Sequence, residues 1–228
     1  MAEFRIERAD DYLGKPVYDP YGRLVGHVIS LFSDAHGNVL ALEVCFADRE
    51  YRQVPSEMFS LEGGLIVMAP EWLHAARTAK DRLERLKRRF AALEDLNNRK
   101  DVPKHAYEAF RKQLEGELAR TKEEVGKVKE LLRARIHELE DMLAELERAE
   151  TNLKMGYVSG EISEKAYKAA HEHIRRHAEI LNNEKEEVRK YLESLEALEA
   201  QPAQIMSKAP QPISSQQQPV PVVILDKG

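Results

Sequence analysis

Apolar residues come in short runs early in the chain and step in threes and fours later. Leu24–Phe32 and Val39–Phe46 are apolar and rich in β-branched residues. His36-Gly37-Asn38 between them tolerates positive φ, as a turn requires. A third run, Tyr51–Val54, stops at Pro55. Gly63-Gly64 marks a tight turn before Leu65–Met68, and Pro70 closes the region. Short strands with turn signals roughly every 8–12 residues predict a small all-β barrel or sandwich over residues 1–74.

Beyond residue 74 the period changes. Ala76, Ala79, Leu83, Leu86, Phe90 and Leu93 recur at the spacing of one helix face. Leu118, Thr121, Val125, Val128, Leu132, Leu139, Met142, Leu146 and Leu153 form a second seam, with Ile136 one residue out of step, which predicts a stutter. Ile174, His177, Leu181, Glu184, Val188, Tyr191, Leu195 and Leu198 form a third. Narrow seams with charged flanks predict helices that pack on other helices, over residues 75–200. Two breaks interrupt them, near 97–103 and 156–162. Pro103 suits a first helical turn, and Asp101 or Ser163 can cap one. Leu93, Val102, Ala106, Tyr107 and Ala109 match Leu153, Ile162, Ala166, Tyr167 and Ala169 sixty positions on, so the two breaks are related. Each can be a hairpin or a kink. The helix between them, about 50 residues, spans roughly 75 Å.

Residues 201–228 hold five prolines, Gln216-Gln217-Gln218 and Ser214-Ser215. This composition predicts a disordered, Pro-rich tail. Its end, Val220, Pro221, Val222, Val223, Ile224 and Leu225, is instead apolar and β-prone. Such a segment can add as a strand to an open sheet edge of a partner. Pro221 lacks an N–H, so its amide position must point away from the partner strand.

Charge sharpens this division. Asp+Glu exceed Lys+Arg by five overall. The first region is acidic and the helical region is neutral as a whole. A strongly basic, whole-chain nucleic-acid binder is thereby excluded, although a local patch is not. That patch is Arg77, Lys80, Arg82, Arg85, Lys87, Arg88 and Arg89, opposed only by Asp81 and Glu84. With Ala76 at heptad position a, Lys80, Arg82, Lys87 and Arg89 fall at e and g, which disfavours a parallel in-register homodimer. The partner surface should be acidic, and the Glu138–Glu150 stretch is a candidate. A hairpin at the first break sets the basic segment against Arg111–Glu123, leaving it unneutralised within its own chain. A hairpin at the second sets Asp141–Glu147 against His171–His177. Another subunit, or phosphates on DNA or lipid, would then take up the basic segment.

No phosphate loop, dinucleotide fingerprint or nucleophile elbow is present, so no enzymatic activity is expected. His173 and His177 share a helical face, but Arg175 stands where an HExxH frame starting at His171 needs its second histidine, and neither metal nor cofactor is expected. Cys45 is the only cysteine, which excludes an internal disulfide. No run approaches the roughly 18 apolar residues of a membrane span, and the start lacks the apolar core of a secretory signal. A cytoplasmic protein is expected.

The chain resembles the archaeal cell-division family CdvA over nearly its whole length. Tyr12-Leu13-Gly14-Lys15-Pro16-Val17-Tyr18-Asp19 followed by Gly22-Arg23-Leu24-Val25-Gly26-His27-Val28 is similar to the opening of a PRC-barrel. The helical middle resembles the family's coiled coil, and Pro219–Leu225 its terminal peptide. The resemblance implies a PRC-like barrel, a coiled coil and a tether with a hook. It implies self-association into filaments at the division site, on the inner face of the membrane. It also implies recruitment of the ESCRT-III-like protein CdvB by C-terminal strand addition, and association with DNA and membrane in some members. On the residues alone, two other functions compete: a nucleoid-associated protein using residues 77–89, and a signalling adaptor with a ligand-sensing barrel.

Overall fold

The computed structural model describes residues 4–46 and 50–200. The predicted tether and Val220–Leu225 lie outside the described residues.

The first region is one six-stranded sheet. Its strands are β1 (Pro16–Tyr18), β2 (Leu24–Ser33), β3 (Val39–Phe46), β4 (Tyr51–Pro55), β5 (Phe59–Glu62) and β6 (Leu65–Met68). They lie in the order β4-β3-β2-β1-β6-β5, antiparallel except for the β1–β6 pair. Irregular registers in β1–β2 and β2–β3 bend the sheet around a single core. Phe4, Tyr12, Val17, Val28, Leu42, Val44, Phe59 and Ile66 fill that core, so the barrel is packed rather than hollow. Gly63 and Gly64 both take positive φ, as a two-residue hairpin turn between β5 and β6 demands. The sequence pattern does not mark β1 or β5. They are three and four residues long and carry too few alternating positions to show a period.

Three helices follow: α1 (Glu71–Asn98), α2 (Lys104–Val158) and α3 (Glu164–Ala200). Both breaks are hairpins, and they close with the same hydrogen bonds. In the first, Lys100 takes φ 61°, and the Lys100 and Asp101 N–H groups donate to Asn97 and Leu96. In the second, Gly160 takes φ 79°, and the Gly160 and Glu161 N–H groups donate to Tyr157 and Gly156. This is the Schellman motif twice, sixty residues apart, at the positions of the sequence repeat. Pro103 precedes α2, and the Ser163 hydroxyl accepts from the Ala166 N–H at the start of α3.

The first half of α2 runs antiparallel to α1, and its second half antiparallel to α3. Midway along the rod the three helices overlap. There Trp72, Leu73, Ala76, Ala79 and Leu83 meet Val125, Leu132 and Leu139, and Leu181, Val188, Leu195 and Leu198. Two-helix arms extend either way along α2, which is about 82 Å long. The first arm has its own cluster of Leu86, Phe90, Leu93, Tyr107 and Leu114. In the second, Leu143, Leu146 and Leu153 are only half-buried.

Two seam assignments need correction. Met142 is exposed and Leu143 takes its place, because the seam continues in the frame of Ile136 after the stutter. His177 is also exposed, and Ala178 lies on the inner face instead. Steps of three-then-four and four-then-three both fit a helix, and the packing selects the second.

Candidate functional site

The turn between β1 and β2 docks the sheet onto the helical rod. Asp19 accepts from the backbone N–H of Tyr21 (2.9 Å) and Arg23 (2.8 Å), and from the Arg23 guanidinium, which shapes the loop. The loop then presents two side chains to α3. Arg23 Nη2 reaches Glu184 Oε2 at 2.7 Å, and Tyr21 donates its hydroxyl to Glu187 at 2.7 Å. Burial and the Glu187 carboxylate together push the Tyr21 phenol well above its ordinary pKa.

Glu184 is fully buried. Its Oε1 accepts from Trp72 Nε1 on α1 at 3.2 Å and from Arg135 Nε on α2 at 2.9 Å. Burial opposes the charge on Arg135, but Glu138 and Glu184 outweigh it and hold the guanidinium above its ordinary value. One carboxylate therefore ties together the sheet and all three helices. A buried carboxylate is costly unless paired and hydrogen-bonded, and this one is paired twice. Its signal in the sequence was a glutamate on an otherwise apolar seam.

The remaining seam residues differ in burial. Leu83, Leu86, Phe90, Leu93, Val125, Leu132, Leu139, Leu181, Val188 and Leu195 are buried, and Val128 and Leu146 half-buried.

The basic segment does not act as one face. Arg82, Arg85 and Arg89 line a groove of about 590 Å³ between α1 and α2, where Arg120 joins them from α2. Arg82 pairs with Glu124 across this groove. Among the described residues, Arg85, Arg89 and Arg120 make no ion pair. Arg77 lies on the opposite side, donating to the Tyr191 hydroxyl at 3.2 Å, and Lys80 lines a cavity there. Arg88 folds back on Glu84 at 3.6 Å.

Lys87 is buried, and its ammonium donates to the Leu198 carbonyl in the last turn of α3. Burial lowers its pKa below the ordinary lysine value, with Lys122 adding to the effect. The expectation that the whole segment stays unneutralised in its own chain is thus corrected: Arg82 and Lys87 are engaged by α2 and α3. Sequence periodicity could not show this, because Lys87 turns inward only where the end of α3 lies over α1.

The acidic stretch is also partly used within the chain. Glu140 pairs with Arg189 at 2.9 Å, and Glu150 with Lys154 at 2.6 Å and His171 at 3.4 Å. Arg175 binds Glu172 on its own helix rather than crossing to α2. His171 instead stacks on Tyr167, which stacks on Tyr157. No helix among the described residues is long and apolar enough to cross a membrane.

Two comparisons bear on this architecture. A family profile described as a CdvA-like coiled-coil domain matches residues 71–219. The chain is also 28% identical over 212 residues to a protein named Cell division protein A from Sulfolobus acidocaldarius, covering 93% of this chain and 89% of that protein.

Proposed function

Because the chain belongs to the CdvA family of cell-division proteins, we propose that it is a filament-forming division scaffold whose terminal strand recruits an ESCRT-III-like protein of the CdvB type. The sheet and the rod are the assembly body, and residues 201–219 tether the hook formed by Val220–Leu225. The action belongs to the division site, on the cytoplasmic face of the membrane, and no step of it is enzymatic.

The observation that carries this reading is the build of the rod. Glu184 fixes the sheet to all three helices, and Lys87 holds the end of α3 against α1. A stiff body that ends in a tether suits a scaffold that displays a peptide. Many hooks on one filament would gather partner subunits by avidity even if each contact is weak. The test is binding of a peptide of residues 213–228 to the winged-helix domain of an ESCRT-III-like partner, followed by calorimetry. Changing Val222 and Ile224 to Asp is expected to abolish binding. Equal binding by the altered peptide would sink the strand-addition mechanism.

A second reading, polyanion binding, draws on the convergence of Arg85, Arg89 and Arg120 from two helices on one groove. DNA is the candidate ligand. Reversing these three charges should lower DNA affinity at least tenfold and flatten its salt dependence by up to about three counterions. An unchanged salt slope in that variant removes the groove from consideration. Lys87 is a poor target for such a test, since it is packed beneath α3.

A further inference from the structure

Arg82, Arg85 and Arg89 stand on one face of α1, stepping by three and then four residues. They line the groove of about 590 Å³ between α1 and α2, where Arg120 joins them. These four arginines outnumber the carboxylates of Asp81, Glu117 and Glu124 in the same lining. Of the four, only Arg82 has an ion pair among the described residues, with Glu124. The groove continues past Thr78 to His74 as a further space of about 210 Å³. From His74 to Arg89 it runs about 22 Å along α1, or some four helical turns.

A row of opposite sign lies farther along α2. Glu138, Asp141 and Glu145 are exposed and step by three and then four, in the same order. Glu138 pairs with Arg135 on its own helix, whereas Asp141 and Glu145 make no ion pair among the described residues. The row stands three heptads beyond Glu117, Arg120 and Glu124, so it shares a side of α2 with the groove. Because the two rows step alike, a helix bearing one can lie parallel to a helix bearing the other, with each charge opposite its counterpart.

We propose that two copies of the chain pair side by side, α2 antiparallel to α2, with the acidic row of each in the arginine groove of the other. The charges set the register. Arg82 is level with Glu124, so setting it opposite Glu138 of the second copy brings Glu124 level with that Glu138. The two-fold axis then crosses α2 midway between these positions, at residue 131. Residue 131 is also the midpoint of α2 (Lys104–Val158), so the long helices overlap from end to end. Leu131 is exposed, and it lies one heptad from Glu124 and one from Glu138. It meets its own copy at the axis. The charge rows, the ends of α2 and the uncovered leucine thus give one register. Each end of the pair carries the Lys100 turn of one copy beside the Gly160 turn of the other. DNA in the same groove would leave the acidic row and Leu131 without a role. This inference rests on reading the chain as self-associating, but a closed pair is measured apart from a filament.

Sedimentation equilibrium of the full chain should show twice the chain mass at about 100 µM. Arg85→Glu/Arg89→Glu and Asp141→Lys/Glu145→Lys should each raise the dissociation constant at least about tenfold, because both contacts then set like charges together. An equimolar mixture of the two variants should pair again, since each contact regains opposite signs. That recovery also shows that both variants are folded. In a Cys45→Ser background, Leu131→Cys should form a disulfide between copies. Glu145→Cys should not, because its counterpart lies about 42 Å away along the axis. An unaltered chain that stays monomeric overturns the proposal, as does a mixture that fails to recover. Cross-linking at both positions assigns a parallel pair and also overturns it. Loss of DNA binding in the arginine variant with no change in its mass gives the groove to DNA instead. Filament growth is read separately by high-speed pelleting, so the pair can fail while filaments form, and the reverse.

Discussion

In the first hairpin the left-handed turn position is Lys100; in the second, sixty residues on, it is Gly160. The hydrogen bonds around them are the same, and the arms they close are not. The first arm buries Phe90 among Leu86, Leu93, Tyr107 and Leu114, and the Tyr107 hydroxyl donates to Glu94 at 2.8 Å. The second arm has leucines that are half-covered and an exposed tip at Met155 and Val158. One turn motif thus serves two kinds of arm. A turn sets where a chain reverses, whereas the residues behind it set how firmly the two halves hold. The first arm has a buried cluster of its own and, among the described residues, the second does not, while both keep exposed apolar residues, Leu96 and Phe110 in the first and Met155 and Val158 in the second.

That contrast can be broken by mutation. Phe90→Ala should have the largest effect, about 3–5 kcal/mol lost from global stability, read by urea denaturation. Glu184→Ala, where the two hairpins overlap, should cost about 2–3 kcal/mol, since it takes one of two carboxylates from Arg23 and from Arg135, which keep Asp19 and Glu138, and leaves the Trp72 N–H without its acceptor. Replacing both Glu184 and Arg23 by apolar residues should recover part of that loss. Leu146→Ala in the second arm should cost only about 1 kcal/mol, because the side chain is half-exposed already. A loss as large as that of Phe90→Ala would show that the second arm is better covered than the monomer suggests. Smallest and of opposite sign are the turn exchanges. Lys100→Gly should raise stability by up to about 1 kcal/mol, and Gly160→Ala should lower it by about as much, both read from melting curves. No change at either site would mean that the left-handed position carries no strain.

Much of the rod was legible before any coordinates. The seams through Leu83, Val125, Leu132, Val188 and Leu195 follow from spacing alone, because helix geometry is local. The repeat linking Tyr107 to Tyr167 marked related turns, yet hairpin and kink have the same local sequence. The choice lies in contacts between residues far apart, such as Arg82 with Glu124. Lys87 and Glu184 show the same limit from opposite sides. Both are charged residues turned inward, and both are accommodated by partners on other elements. Glu184 could be suspected because it interrupts an apolar seam. Lys87, amid six other cations, offered no such mark. In the sheet, β1 and β5 escaped because short strands gain their identity from neighbours. Pro16–Tyr18 is a strand because β2 and β6 flank it.

The α2 helix has one further consequence. Its ends carry unlike hairpins, so the molecule has a direction, as an arrow does. Copies meeting through like ends make a two-fold pair and stop there. Copies meeting through unlike ends hand the direction on, and unless rotation happens to close a ring, the series grows without limit. The unequal ends of one long helix therefore give this chain a head and a tail.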